Sequence, residues 1–191
     1  MARLLIVIAS TRPNRVGLPV GRWFEGVARE DGRFEIELVD LAELNLPFLN
    51  EPKHPRLQQY EHEHTRRWSA TVDGADAIVF VTAEYNYGYP APLKNAIDYL
   101  HNEWRHKPLG YVSYGGIAAG TRSVQQLKQV TQALGLVSTQ ILVNLAWVAK
   151  LIGEDGELRS DEGMEAAATS MLDELVALDG VLRILRGKTA D

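Results

Sequence analysis

The segment Ser10-Thr11-Arg12-Pro13-Asn14-Arg15-Val16-Gly17 gathers two hydroxyls, an amide and two guanidinium groups just ahead of a helical stretch. A helix N-terminus adds main-chain N–H groups and the positive end of a dipole, so this set of donors suits a phosphate. It matches neither GxxxxGKS/T nor GxGxxG, which argues against an NTPase or an ordinary dinucleotide fold. Taken alone, the segment fits a solvated helix cap equally well. A second segment, Glu84-Tyr85-Asn86-Tyr87-Gly88-Tyr89-Pro90, offers flat aromatic area with polar tips, a glycine that permits close backbone approach, and a stiff exit through Pro90 and Pro92. Such a wall suits a planar heterocycle, and it suits a protein interface too. A third, Ser113-Tyr114-Gly115-Gly116, can set backbone amides against the edge of the same ligand.

The elements that must position these loops follow from the hydrophobic pattern. Leu4 to Ile8 is an unbroken apolar run, as expected of an internal parallel strand covered on both faces. A helix is expected from Leu18 to Arg29, followed by Phe34 to Leu38, where apolar and acidic residues alternate as on a wetter edge strand. After Pro47, Pro52 and Pro55, a polar helix is expected over Arg56 to Asp73, then a buried strand over Ala77 to Val81. A helix starts near Pro92, with Leu93, Ala96, Ile97 and Leu100 on one face. Leu109 to Ser113 reads as a strand, Val124 to Leu134 as a helix, Thr139 to Leu145 as a strand, and Asp161 to Leu185 as a closing helix. Gly187 to Asp191 reads as a frayed end.

Five strands alternating with five helices predict an α/β three-layer sandwich around a five-stranded parallel sheet, in flavodoxin-like or Rossmann order. A wetter second strand beside a buried first one fits 2-1-3-4-5, which puts a ligand crevice at the carboxyl ends of strands one and three. The three unusual segments fall at that end. With 191 residues, 46% of them hydrophobic, the chain fits one domain over 1–191. A net charge of −5 argues against a nucleic-acid partner, and the absence of cysteine excludes disulfides, thiolate nucleophiles and cysteine-ligated metals, so redox chemistry would need a bound cofactor. The six apolar residues from Leu4 to Ala9 are too few for a membrane span, and the N-terminus lacks a signal-peptide layout, which points to a cytoplasmic protein with no membrane insertion.

Taken in order, these segments resemble the NADPH-dependent FMN reductase family, which includes flavodoxin-like quinone, azo-dye and chromate reductases. The resemblance runs from Leu4 to about Leu145, and its most specific part is EYNYGYPAPLKNAIDYL, close to the family pattern P-E-Y-N-x-x-x-P-x-x-L-K-N-x-x-D. Ala83 stands where the family usually has that first proline, and Ala9 where it has a glycine; neither change removes a reactive group. The resemblance implies that Ser10, Arg12, Asn14, Arg15, Val16 and Gly17 hold the FMN phosphate. It implies that Glu84, Tyr85, Asn86 and Tyr87 border the isoalloxazine ring, and that Ser113, Tyr114, Gly115 and Gly116 face its other polar edge. It further implies a donor, NADPH or NADH, a small-molecule acceptor served by a ping-pong mechanism, no catalytic side chain beyond the flavin itself, and a homodimer or homotetramer. The rival reading is a flavodoxin-like carrier that exchanges electrons with protein partners.

Other chemistry-bearing residues read as structural. In a helix, His62 and His64 would point about 200° apart and could not share a metal. Trp68 and Trp147 read as core or interface fillers, and His101 and His106 as part of a surface loop.

Overall fold

A computed structural model describes residues 1–187, so most of the expected frayed end lies outside the described residues. The sheet is parallel, with strands β1 (Ala2–Ile8), β2 (Phe34–Asp40), β3 (Ala77–Ala83), β4 (Pro108–Tyr114), β5 (Val137–Ser138) and β6 (Val143–Leu145). Its order is β2-β1-β3-β4-β5, with β6 also paired to β4. The helices are α1 (Gly17–Asp31), α2 (Leu41–Leu44), α3 (Glu63–Gly74), α4 (Ala91–Asp98), α5 (Thr121–Ala133) and α6 (Glu162–Leu182).

Side chains alternate across a strand, and that alternation builds two cores. Leu4, Ile6 and Ile8 of β1 join Val79 and Val81 of β3 against Val20 and Phe24 of α1 and Met171 and Leu175 of α6. Leu5 and Val7 join Ile78 and Phe80 against Trp68 of α3, Leu93 and Ile97 of α4, and Leu127 of α5. The apolar runs of β1 and β3 are therefore continuous because both faces are covered. The crossover after β1 leaves to one face and that after β3 to the other, so the crevice between them opens at their carboxyl ends, as expected.

Three expectations are corrected. Among the described residues the sheet has six strands, not five: the expected strand over Thr139 to Leu145 breaks into β5 and β6, while the expected order of the others holds. Between the pieces, the Thr139 hydroxyl donates to the Ile141 carbonyl at 2.8 Å, while Glu174 accepts the N–H groups of Gln140 and Ile141, so side chains replace the ladder bonds. The polar helix starts at Glu63 rather than Arg56, because residues 55–57 form a 3-10 turn and the Glu51 carboxylate holds the N–H groups of Glu61 and His62. The closing helix ends at Leu182 and tightens into a 3-10 turn, Arg183–Arg186.

Because His62 precedes α3 rather than lying inside it, the expected divergence of His62 and His64 does not occur. Their rings stack 5.1 Å apart and both reach Asn50. Among the described residues no group of three or more histidine, cysteine, aspartate or glutamate side chains could hold a metal ion. Trp68 is buried, whereas Trp147 is half exposed in the left-handed region, at φ 49°. No described helix is long and apolar enough to cross a membrane.

Candidate functional site

The loop after β1 runs from a buried anchor to an open helix end. Ser10 is 0% exposed, and its hydroxyl lies 2.6 Å from the Tyr85 hydroxyl. Arg12 is exposed, with its guanidinium carbon 5.6 Å from the centre of the Tyr85 ring. Asn14 takes a left-handed backbone, φ 57°, which turns the chain into α1. Arg15 is mostly buried and forms an ion pair with Asp40 at the end of β2. The other oxygen of Asp40 accepts the Ala42 N–H at 2.9 Å, so Asp40 also caps α2. Val16 occupies the N-cap position of α1 but supplies no side-chain acceptor, and no acidic residue stands in the first turn. Pro19 has no N–H, so Gly17 and Leu18 carry the orphan donors of that turn.

The loop after β3 is a closed hairpin. Tyr85 and Gly88 exchange N–H to carbonyl bonds of 2.8 and 2.9 Å. Asn86 and Tyr87, at φ 50° and 71°, form the two central residues of a type I′ turn. Gly88 thus closes the turn, and a Cβ there would stand 3.3 Å from Gln126 Oε1. Tyr87 is 64% exposed and carries the Arg122 guanidinium 3.8 Å above its ring. The Glu84 carboxylate pairs with Arg122 Nε at 2.7 Å and accepts the Arg122 N–H at 3.2 Å, which ties this loop to the start of α5.

The loop after β4 spends most of its polar groups internally. Ser113 is buried, with its hydroxyl 2.8 Å from both the Ala119 carbonyl and Asn144 Oδ1. The Gly115 N–H donates to the Leu145 carbonyl at 3.2 Å, and the carbonyls of Gly115 and Gly116 accept from Val148 and Trp147. Gly120, at φ 80°, lets the chain fold back; a Cβ there would lie 2.7 Å from the Tyr114 nitrogen. Tyr114 points away from this loop. Its hydroxyl rests beside Gly17, where a Cβ would stand only 2.3 Å from it, and although fully buried it makes no well-formed hydrogen bond, only a loose approach to Ser10. Burial pushes its pKa up, the nearby Tyr85 adds to that, and Ser10 opposes it.

Ser10, Arg12, Tyr85, Tyr114 and Gly17 therefore converge between α1 and the hairpin, while Arg15, Glu84 and Ser113 face protein partners. Asp40, Arg122 and Asn144 escape the sequence reading, because each acts through a contact made by folding. Beside Thr11 lies a cavity of about 520 Å³ between α2 and α4, bordered by Leu41, Asn45, Phe48, Pro92 and Asn95. His101 and His106 precede β4 and so lie at the opposite end of the strands.

The family profile described as NADPH-dependent FMN reductase matches residues 2–147. The chain belongs to this family. It is 33% identical over 198 aligned residues to a NAD(P)H-dependent FMN reductase of Nectria sp., covering 97% of this chain and 98% of that protein. A NAD(P)H-dependent FMN reductase of Schizosaccharomyces pombe is 41% identical over 130 residues, covering 67% of this chain and 64% of the relative. Among solved structures, the NAD(P)H:(acceptor) oxidoreductase FerB of Paracoccus denitrificans superposes with a TM-score of 0.76 at 22% identity, covering 93% of this chain and 98% of that one, which confirms the flavodoxin-like fold. The site of this FMN reductase family member also fits its family's cofactor on local grounds. An uncapped helix N-terminus beside a basic, hydroxyl-rich loop fits a phosphate, and the aromatic hairpin next to it fits a ring system.

Proposed function

We propose that the chain binds FMN across the carboxyl ends of β1, β3 and β4 and passes a hydride from NAD(P)H to a small acceptor such as a quinone, an azo compound or free flavin. The observation that carries this reading is the uncapped N-terminus of α1 set against the Tyr85 hairpin, inside the family's matched span. When bound, FMN supplies the hydride-accepting ring that joins the two half-reactions. Ser10, Arg12 and the N–H groups of Gly17 and Leu18 hold the phosphate, and the Arg12 guanidinium supplies its charge-assisted bond. The Tyr85 hairpin borders the ring, and its I′ turn keeps that border rigid without help from a ligand. Asn86 and Tyr87 project at the turn, where donor and acceptor would visit in succession, which is the arrangement a ping-pong sequence needs.

Arg15 neutralises Asp40 and so removes a carboxylate that would repel the phosphate; this gives it a supporting role rather than a direct one. The oxyanion-stabilising N–H expected at Gly115 is engaged by Leu145, so that loop shapes the pocket rather than donating from that atom. The reading includes a cytoplasmic homodimer as the working form, supported by the exposed side chains of Phe48, Tyr87 and Trp147. A visible spectrum of the FMN-loaded protein during anaerobic NADPH addition tests the reaction. Bleaching, reversed by a quinone, is the expected outcome. A protein that binds FMN and never oxidises NADPH or NADH would be a carrier instead.

A further inference from the structure

We propose that the Tyr114 hydroxyl is a phosphate-reading donor, placed to hydrogen-bond a phosphomonoester seated at the N-terminus of α1, so that the site selects FMN over riboflavin. The inference rests on the FMN reading above and reassigns Tyr114 from the ring edge to the phosphate end. Three observations carry it. The first turn of α1 has neither a side-chain cap nor an acidic residue, so its donors have no protein acceptor from either source. Tyr114 is 3% exposed, and its hydroxyl, packed beside that turn, makes no well-formed hydrogen bond, only a loose approach to Ser10. A buried hydroxyl without a well-formed hydrogen bond is rare and costly, and an anion shared with the helix would satisfy both. Gly17 completes the arrangement, since any side chain there would take the place of the hydroxyl.

The charge surroundings agree. Arg15 is already paired with Asp40, so the neutral phenol adds a donor without adding another ion to a partly buried site. Burial raises the Tyr114 pKa, which keeps the donating proton in place through alkaline pH. The Ser10 and Tyr85 hydroxyls, 2.6 Å apart, both neighbour Tyr114 and can re-orient toward an acceptor without moving the backbone.

The test compares wild type with Tyr114→Phe, after removal of flavin, by fluorescence titration with FMN and with riboflavin. The expected result is an FMN affinity about tenfold weaker in the variant, with riboflavin affinity unchanged. Equal FMN affinities would overturn the proposal, and so would a parallel loss for both flavins, which would make Tyr114 a support for the ring or the fold. Inorganic phosphate separates this inference from the FMN reading. Wild type should show a phosphate-dependent rise in melting temperature that is clearly smaller in Tyr114→Phe. If wild type binds no FMN yet keeps that difference, the FMN reading fails and the anion site stands. If phosphate moves neither protein, the anion site fails even where FMN binds.

Discussion

At the amino ends of the strands, the Arg3 N–H meets Asp76 at 3.0 Å, Lys107 donates to the carbonyls of Val72 and Asp73, and Arg186 reaches the His106 carbonyl at 2.7 Å. Buried Glu103 there accepts from Tyr60 and Ser69 at 2.7 Å each. At the carboxyl ends, α1 starts without a cap, Arg12 is exposed, and the Tyr114 hydroxyl makes no well-formed hydrogen bond. The amino end satisfies most of these polar groups within the protein, Arg186 Nε excepted, and the carboxyl end leaves several for something else. A fold can tolerate the second condition only where the first supplies enough stability, because a buried unpaired group lowers the stability of the empty protein.

The contrast predicts that changes at the amino end alter stability and leave ligand affinity intact, with the reverse at the carboxyl end. Glu103→Ala strands the Tyr60 and Ser69 donors and should cost about 2–4 kcal/mol in urea unfolding, with FMN affinity unchanged. Burial alone would raise the Glu103 pKa, but the bonds from Tyr60 and Ser69 hold it below its ordinary 4.5. Its contribution is therefore complete above about pH 4.5 and is lost as the pH falls through the lower folded value, so the variant should show a flatter acid limb in a plot of melting temperature against pH. Arg12→Ala, at the open end, should weaken FMN binding by about 1.5–3 kcal/mol while the melting temperature of the flavin-free protein stays put. The smallest effect is expected for Tyr87→Ala, the exception at the open end because its ring stacks on Arg122 of the fold: losing that stack should cost about 0.5–1 kcal/mol of stability, read by thermal unfolding. A loss of FMN affinity in Glu103→Ala comparable to that in Arg12→Ala would dissolve the distinction between the two ends.

The sequence made the strands and the crevice legible because burial on both faces writes itself as an apolar run, as in Leu4 to Ile8 and Ala77 to Val81. It could not show where polar side chains point. Arg15 reads as a phosphate ligand from its place in the loop, yet Asp40 comes from a strand that only folding brings near. Glu84 turns toward Arg122 and Ser113 toward Asn144 for the same reason. Tyr114 is the clearest case: β4 alternation sends its side chain under α1, away from the glycines beside it in sequence. The break between β5 and β6 was equally hidden, because it depends on Glu174, which lies in α6, far along the chain.

That broken strand also bears on how copies of the protein can meet. A long, flat outer strand is a template on which another chain can add, and it invites aggregation. Here one margin of the sheet is split into pieces of two and three residues, and the other, β2, carries Glu35 and Glu37. Neither margin offers a long neutral row of free backbone groups, so any assembly of this chain must be built through side chains and helices rather than by extending the sheet.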